Sequence, residues 1–379
     1  MEKYPCATIG NRKIGHDYAC FLVAELSGNH HQRYEEAEEL VRAAAAAGVD
    51  AVKLQTYTPD TITLDSPKEW FLVGGKDQPK EWQGMNLYKL YGMAYTPWEW
   101  QPKLKELAES LGIMLFSSAF DDTAVDFLEQ MDVPCYKIAS YEAIHIPLLK
   151  KVASTGKPVI MSIGFASFDE ATLAVDTLRN SGVRDVAVLH CVTAYSDTPK
   201  LEFSNLRTIG DIANRFGVIA GFSDNNAGIE IPIMAVTVAG ASIIEKHFIL
   251  DRSKEGPDAR FSIEPSELKR MVEVIRKVER EGLQALEGII SKEDIAKAMG
   301  HVQYGPVSEQ EKENIVFRPS LWVKKDMKKG EQFTLENIRV ARPSAGLPPK
   351  HLEEILGKKA VRDIESATPM SWDLVAKGK

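Results

Sequence analysis

The sequence predicts an α/β fold: a (β/α)8 barrel over residues 1–285, a linker over 286–314 and a small domain over 315–379. Three observations carry this reading. Short apolar runs recur along the chain, each closing on polar residues able to bind or react, with helix-like segments between them. No Gly-rich dinucleotide loop follows any run, which favours the barrel over a doubly wound open sheet. After residue 315 the character changes and an internal repeat begins.

Residues 6–18 read as a hairpin turning at Gly10-Asn11, placed early enough to plug the closed end of a barrel. The first barrel strand, 20–24, delivers Glu25 and is followed by the polar loop Ser27-Gly-Asn-His-His31. A helix over 34–47, Ala-rich at 43–47 for close packing, stops at Gly48. In strand 51–55, alternation separates Lys53 and Gln55 from Val52 and Leu54. The insertion 56–97 is rich in Trp, Tyr and Gly and is expected to form an ordered lid.

A helix at 98–110 precedes strands at 113–116, 135–138, 158–161, 186–190, 218–221 and 242–244. These end near Ser117 and Ser118, Ser140, Ser162, Thr193 and Tyr195, Ser223-Asp-Asn225, and Glu245 with His247. Helices fit at 122–131, 169–181 and 228–239, and one at 265–281 closes the unit. Residues 291–314 are polar and mixed in charge, as a connector would be. Beyond them, residues 323–336 resemble 360–373: an Asp before an apolar residue, then an apolar, Ser/Thr, apolar, acid step. The repeat predicts a small pseudo-symmetric domain. At about 65 residues it is close to the lower limit for independent stability and would gain from docking on something larger.

Hydrophobic content of 44% and charged content of 26% fit a globular protein with a sizeable core. The net charge of -8 argues against a nucleic-acid or acidic-membrane binder, while leaving room for a local cationic pocket. Cys6, Cys20, Cys135 and Cys191 are widely spaced without a CxxC pair, and read as free thiols in a reducing compartment. The N-terminus lacks the apolar core of a signal peptide, and no apolar run approaches the roughly 20 residues that span a bilayer. A cytoplasmic protein is expected.

Lys53, Lys137, Ser118, Ser140, Ser162 and Ser223 all fall at strand ends. A lysine near a barrel axis needs an anionic partner. That partner is either internal, Glu25 or Glu245, or an anionic ligand whose oxygens the serines also bind. The number of strands contributing favours the ligand. Glu245 and His247, two apart on one strand, face the same way and make half a metal site, although a lone histidine is more often structural. Asn225 and Asp258 would supply oxygen to a hard cation, Mg or Mn, rather than to zinc.

Several stretches resemble the sialic acid (nonulosonic acid) synthase family along essentially the whole chain. They are Ala24-Glu-Leu-Ser-Gly-Asn-His30, Lys53-Leu-Gln-Thr-Tyr57, Tyr136-Lys-Ile-Ala-Ser140, Lys157-Pro-Val-Ile-Met-Ser162, Leu189-His-Cys191, Glu245-Lys-His247, Gly256-Pro-Asp258 and Arg342-Pro343. The resemblance implies a TIM barrel followed by an antifreeze-like (SAF) domain, and condensation of phosphoenolpyruvate with an amino sugar. The texture of the first two stretches, with Asn86-Leu-Tyr-Lys-Leu-Tyr91 and Thr96-Pro-Trp-Glu-Trp100, is most similar to the branch making pseudaminic acid. A 2,4-diacetamido-2,4,6-trideoxy-altrose substrate is then implied, with Asn86 among the substrate-binding positions. N-acetylneuraminate or legionaminate synthesis and a non-catalytic sugar-binding homologue are the alternatives. A Schiff-base aldolase using Lys137 is a rival enzyme class.

By motif position, the resemblance implies that Lys53, Lys137, Ser118, Ser140, Ser162 and Ser223 hold the phosphoenolpyruvate, with Thr193 where relatives often have asparagine. Glu25, Gln55, Tyr195 and Glu245 would surround the sugar and the reacting carbons, Glu25 assisting by proton transfer. His247 would bind Mn or Mg, with Asn225 standing where the family places a second histidine. Arg342 matches an arginine that the family inserts into a partner subunit's barrel, which implies a domain-swapped homodimer.

Overall fold

The computed structural model describes residues 5–74, 82–254 and 256–376. Its centre is a closed barrel of parallel strands: β3 (Phe21–Glu25), β4 (Ala51–Thr56), β5 (Met114–Ala119), β6 (Tyr136–Ile138), β7 (Val159–Ser162), β8 (Val186–Val192), β9 (Ile219–Asp224) and β10 (Ile243–His247). Strand β10 pairs with β3 to close the ring. These runs are buried on both faces, so they are apolar until their C-terminal ends.

Alternation divides the core into two layers. Leu22, Ala24, Val52 and Ile244 point outward, under the helices. Phe21, Val23, Phe116, Ile160, Leu189 and Ile243 point inward. The inner layer includes Ala7, Ile9 and Ile14 from an N-terminal hairpin, β1 (Cys6–Ile9) with β2 (Arg12–Gly15). The hairpin fills the floor of the barrel, as its position in the sequence predicts. Asp50 pins it there: it pairs with Arg12 of the hairpin and, at 2.7 Å, with Arg276 of the last barrel helix, Pro265–Glu281.

The insertion after β4 carries short helices at Pro59–Ile62 and Leu87–Ala94. Asn86 is the N-cap of the second: its Oδ1 accepts from Tyr88 N at 2.9 Å and its Nδ2 donates to Ser66 O at 2.9 Å. The connector folds as two helices, Lys292–Met299 and Glu309–Asn314, laid along the barrel. Tyr304 between them donates to Asp211 at 2.9 Å and stands edge-on to Phe168.

The C-terminal sheet orders β12 (Ile338–Ala341), β11 (Ser320–Val323) and β13 (Thr368–Pro369). The internal repeat folds back on itself. Met327 and Ile364, equivalent positions in the two copies, exchange both backbone hydrogen bonds at 2.8 and 2.9 Å. Asp326 accepts from Ser366 N at 2.7 Å, and Asp363 accepts from Lys329 N at 2.8 Å. Each aspartate thus caps the turn of the other copy, and the domain is pseudo-twofold symmetric.

This domain docks on the insertion of its own chain. Phe71 packs on Trp322 with ring centres 4.8 Å apart, and Arg339 donates to Asp60 O and Thr61 O at 2.7 Å each. No helix among the described residues is long and apolar enough to cross a membrane.

Candidate active site

One pocket opens at the C-terminal ends of the barrel strands, the end that the hairpin leaves free. Register builds its floor. Glu25 lies opposite Lys53, Gln55 opposite Ser118, Ser118 opposite Lys137, and Glu245 opposite Ser223. Lys53 Nζ stands 2.6 Å from Glu25, 3.1 Å from Glu245 and 3.3 Å from Ser118 Oγ. Lys137 Nζ donates to Ser162 Oγ at 2.7 Å and lies 3.7 Å from Glu245. Ser223 donates to Glu245 at 2.9 Å, while Gln55 Nε2 donates to Glu25 at 3.0 Å.

Burial lowers the Lys53 pKa to about 8, with Glu245 pulling the other way. Burial alone would raise the Glu245 carboxyl, but Lys137 and Lys53 outweigh it and hold it well below the usual range. These are buried charges facing a cavity. Two ammonium groups and several hydroxyls converge there, the group set that binds a small multivalent anion.

Alternation also fixes the next layer. Lys246, between Glu245 and His247, points outward and is completely buried against Asp224 at 2.7 Å. Asp224 in turn accepts from Asn226 N at 3.2 Å, which pins the turn bearing Asn225. Asn225 donates Nδ2 to Cys191 Sγ at 3.4 Å, leaving its oxygen as the remaining donor atom. Burial, with Lys53 nearby, lowers the His247 pKa to about 3, so its imidazole is neutral. Its buried Nδ1 has no hydrogen-bond partner among the described residues. A neutral imidazole and an amide oxygen on one cavity fit an open hard-cation site completed by substrate oxygens. Among the described residues no three His, Cys, Asp or Glu side chains gather to hold a metal without such help.

The mouth of the pocket is aromatic. Tyr57, Trp82, Tyr91, Phe120, Tyr141, Tyr195 and Phe317 line it, with Leu90, Ala94 and Ala139. Arg342 enters among them from the C-terminal domain, its guanidinium 4.6 Å from the Tyr141 ring centre and 5.5 Å from that of Phe120. Glu142 accepts from its Nε at 3.0 Å and Nη2 at 2.5 Å, and Tyr91 OH from Nη1 at 3.2 Å. Asp258 lines the same cavity, its carboxyl raised by burial.

Of the residues singled out from sequence, Glu25, Lys53, Gln55, Ser118, Lys137, Ser140, Ser162, Tyr195, Ser223, Asn225, Glu245, His247 and Arg342 all line this pocket. Asn86 and Thr193 do not. Asn86 is committed to capping its helix, and Thr193 gives its backbone N–H and hydroxyl to Glu311 of the connector at 2.8 and 3.1 Å. Within the one chain described, Arg342 reaches the barrel of its own chain. Sequence reading missed Trp82, Tyr91, Phe120, Tyr141, Glu142 and Phe317. The run after Ser140 carries no spacing signal for Tyr141 and Glu142, and the other four lie on separate segments of the chain.

Comparison with known proteins agrees with this geometry. The NeuB family matches residues 40–284 and the SAF domain residues 318–376. Pseudaminic acid synthase of Campylobacter jejuni is 40% identical over 357 residues, covering 94% of this chain and 96% of that protein. Pseudaminic acid synthase of Helicobacter pylori is 40% identical over 352 residues, covering 93% and 96%. The crystal structure of a spore coat polysaccharide biosynthesis protein from Bacillus subtilis superposes with a TM-score of 0.82 at 32% identity, covering 99% of this chain and 100% of that one.

Proposed function

From the premise that the chain belongs to the NeuB family of nonulosonic acid synthases, we propose that it condenses phosphoenolpyruvate with a 2,4-diacetamido-2,4,6-trideoxy-altrose, giving pseudaminic acid and phosphate. The observation that carries this reading is the two-ended pocket. Its floor has Lys53, Lys137 and four serines for an anion, and its mouth has an aromatic wall around Arg342. A sugar with two acetyl methyls and a 6-deoxy carbon offers apolar surface to that wall, where a polyhydroxylated hexosamine would strand hydroxyls against rings.

In this reading Lys53, Lys137, Ser118, Ser140, Ser162 and Ser223 bind the phosphate and carboxylate of phosphoenolpyruvate, which displaces Glu25 and Glu245 from the lysines. The C2–C3 π pair of phosphoenolpyruvate forms the C–C bond from C3 to the aldehyde carbon of the open-chain sugar. The C=O π pair moves to oxygen, which ends with the proton that Glu25 takes from water, and C2 is left electrophilic. Water adds at C2, giving up its proton to Glu25, which Gln55 and the Ser27 N–H hold in place. The tetrahedral adduct then breaks its C2–O bond and releases phosphate. Lysines in a cavity shielded from water stabilise the charge on the departing group. His247 and Asn225 would hold Mg or Mn, which when bound supplies Lewis-acid polarisation of the aldehyde oxygen.

The reading extends to a cytoplasmic homodimer. Exchange of C-terminal domains would set the same arginine into the neighbouring barrel, whereas the intrachain seating completes each pocket alone; subunit mixing separates the two.

The test is phosphate release from phosphoenolpyruvate with a panel of amino sugars, each with Mn, Mg or EDTA. Release with the altrose derivative alone supports the reading. Release with N-acetylmannosamine or a legionaminate precursor instead reassigns the sugar. No release with any sugar leaves a binding protein.

A further inference from the structure

The connector places a buried carboxylate, Glu311, behind the wall of the pocket. Glu311 is 2% exposed and has no salt-bridge partner among the described residues. Four donors replace one. Its Oε2 accepts from Val307 N at 2.7 Å and Ser308 N at 3.2 Å, which tightens the connector helix. Its Oε1 accepts from Thr193 N at 2.8 Å and Thr193 Oγ1 at 3.1 Å. One turn on, Asn314 Nδ2 donates to Thr193 O at 3.1 Å. The connector therefore grips Thr193 by its N–H, its hydroxyl and its carbonyl.

Two residues beyond Thr193 stands Tyr195, whose φ of 50° lies in the left-handed region. A tyrosine stays there only where its surroundings over-determine it. Arg260 Nη2 donates to its carbonyl at 2.9 Å, and its ring is edge-on to Phe261 at 5.0 Å. Tyr195 packs against the aromatic cluster that holds Tyr141, the ring directly beneath Arg342. Three residues past Asn314, Phe317 stands edge-on to the same Tyr141 at 6.1 Å. The helix thus clamps the loop that supplies one wall residue, and the turn that follows it supplies another.

We propose that Glu311 is a positioning residue for the sugar half of the pocket, fixing through Thr193 the orientation of Tyr195 against Tyr141 and Phe317. The inference rests on the reading of the pocket mouth as an amino-sugar site. It separates the two substrates, because the lysines and serines of the floor lie on other strands and do not touch the clamp.

The test is steady-state kinetics on the full chain. Glu311→Ala raises KM for the diacetamido sugar about tenfold while KM for phosphoenolpyruvate stays within about twofold; Glu311→Gln, which keeps one acceptor oxygen, recovers part of the loss. Thr193→Val removes only the hydroxyl contact and moves the sugar KM in the same direction by less. It carries the test if Glu311→Ala does not fold. An equal rise in both KM values, or a lowered Tm with both unchanged, makes the clamp merely structural and overturns the inference. A wild type silent with every amino sugar sinks the functional reading, and this inference with it.

Discussion

Glu25 and Lys53, register partners on adjacent barrel strands, meet through their charges at 2.6 Å. The floor of the pocket is therefore neutralised from within, and an incoming anion competes with the protein's own carboxylates. Glu25→Gln should free Lys53 and tighten phosphoenolpyruvate binding several-fold, while lowering kcat about a hundredfold by removing the proton acceptor. Calorimetry and turnover on the same variant check the opposed signs.

Lys53 holds its proton only to about pH 8, against 10.5 for a free lysine, because burial disfavours the ammonium. Loss of that proton removes positive charge, so kcat/KM for phosphoenolpyruvate should fall as pH rises through about 8. A Lys53→Arg variant, however weakened, should lack this limb, because guanidinium stays charged. A pH profile of both proteins decides it.

Arg342 and Glu142 form a buried pair 200 residues apart in sequence. Arg342→Ala strands a carboxylate among aromatic rings and should cost about 3 kcal/mol of stability as well as sugar binding. Glu142→Gln added to it should restore most of the stability and none of the binding. Mixing Arg342→Ala subunits with Lys137→Ala subunits should recover no activity if each arginine serves its own barrel. Recovery would mean that the C-terminal domains are exchanged.

Asn225→His should strengthen Mn binding about tenfold or more, an imidazole being the better ligand for Mn, and Mn titration followed by electron paramagnetic resonance measures this without turnover. An unchanged affinity would remove Asn225 from the cation site.

Asn86→Ala should cost about 1 kcal/mol in chemical denaturation through loss of the cap and leave both KM values unchanged.

The barrel was legible because each strand changes from apolar to polar at its end, and a run such as Ser242-Ile-Ile-Glu-Lys-His247 states both burial and chemistry. The floor residues followed, since alternation puts Lys53 with Gln55 and Glu245 with His247. Asn86 entered only through the family resemblance, and its local sequence points elsewhere. An asparagine before an apolar helical run is a capping signal, and its amide was already committed to the backbone. Apart from Tyr195, the individual residues of the aromatic mouth were not legible. Tyr91, Tyr141 and Phe317 come together only when the insertion, the barrel and the connector pack, and no local period encodes that meeting.

The N-terminal hairpin has a kinetic consequence. With Ile9 and Ile14 filling the far end, the cavity formed by the described residues opens at the C-terminal ends of the strands, so what binds at its bottom would arrive before what binds at its mouth. Phosphoenolpyruvate at the lysines would precede the sugar at the rings, and phosphate would wait behind the finished nine-carbon acid. On the proposed reading that order would rest on residues 6–15, at the opposite end of the barrel from the site.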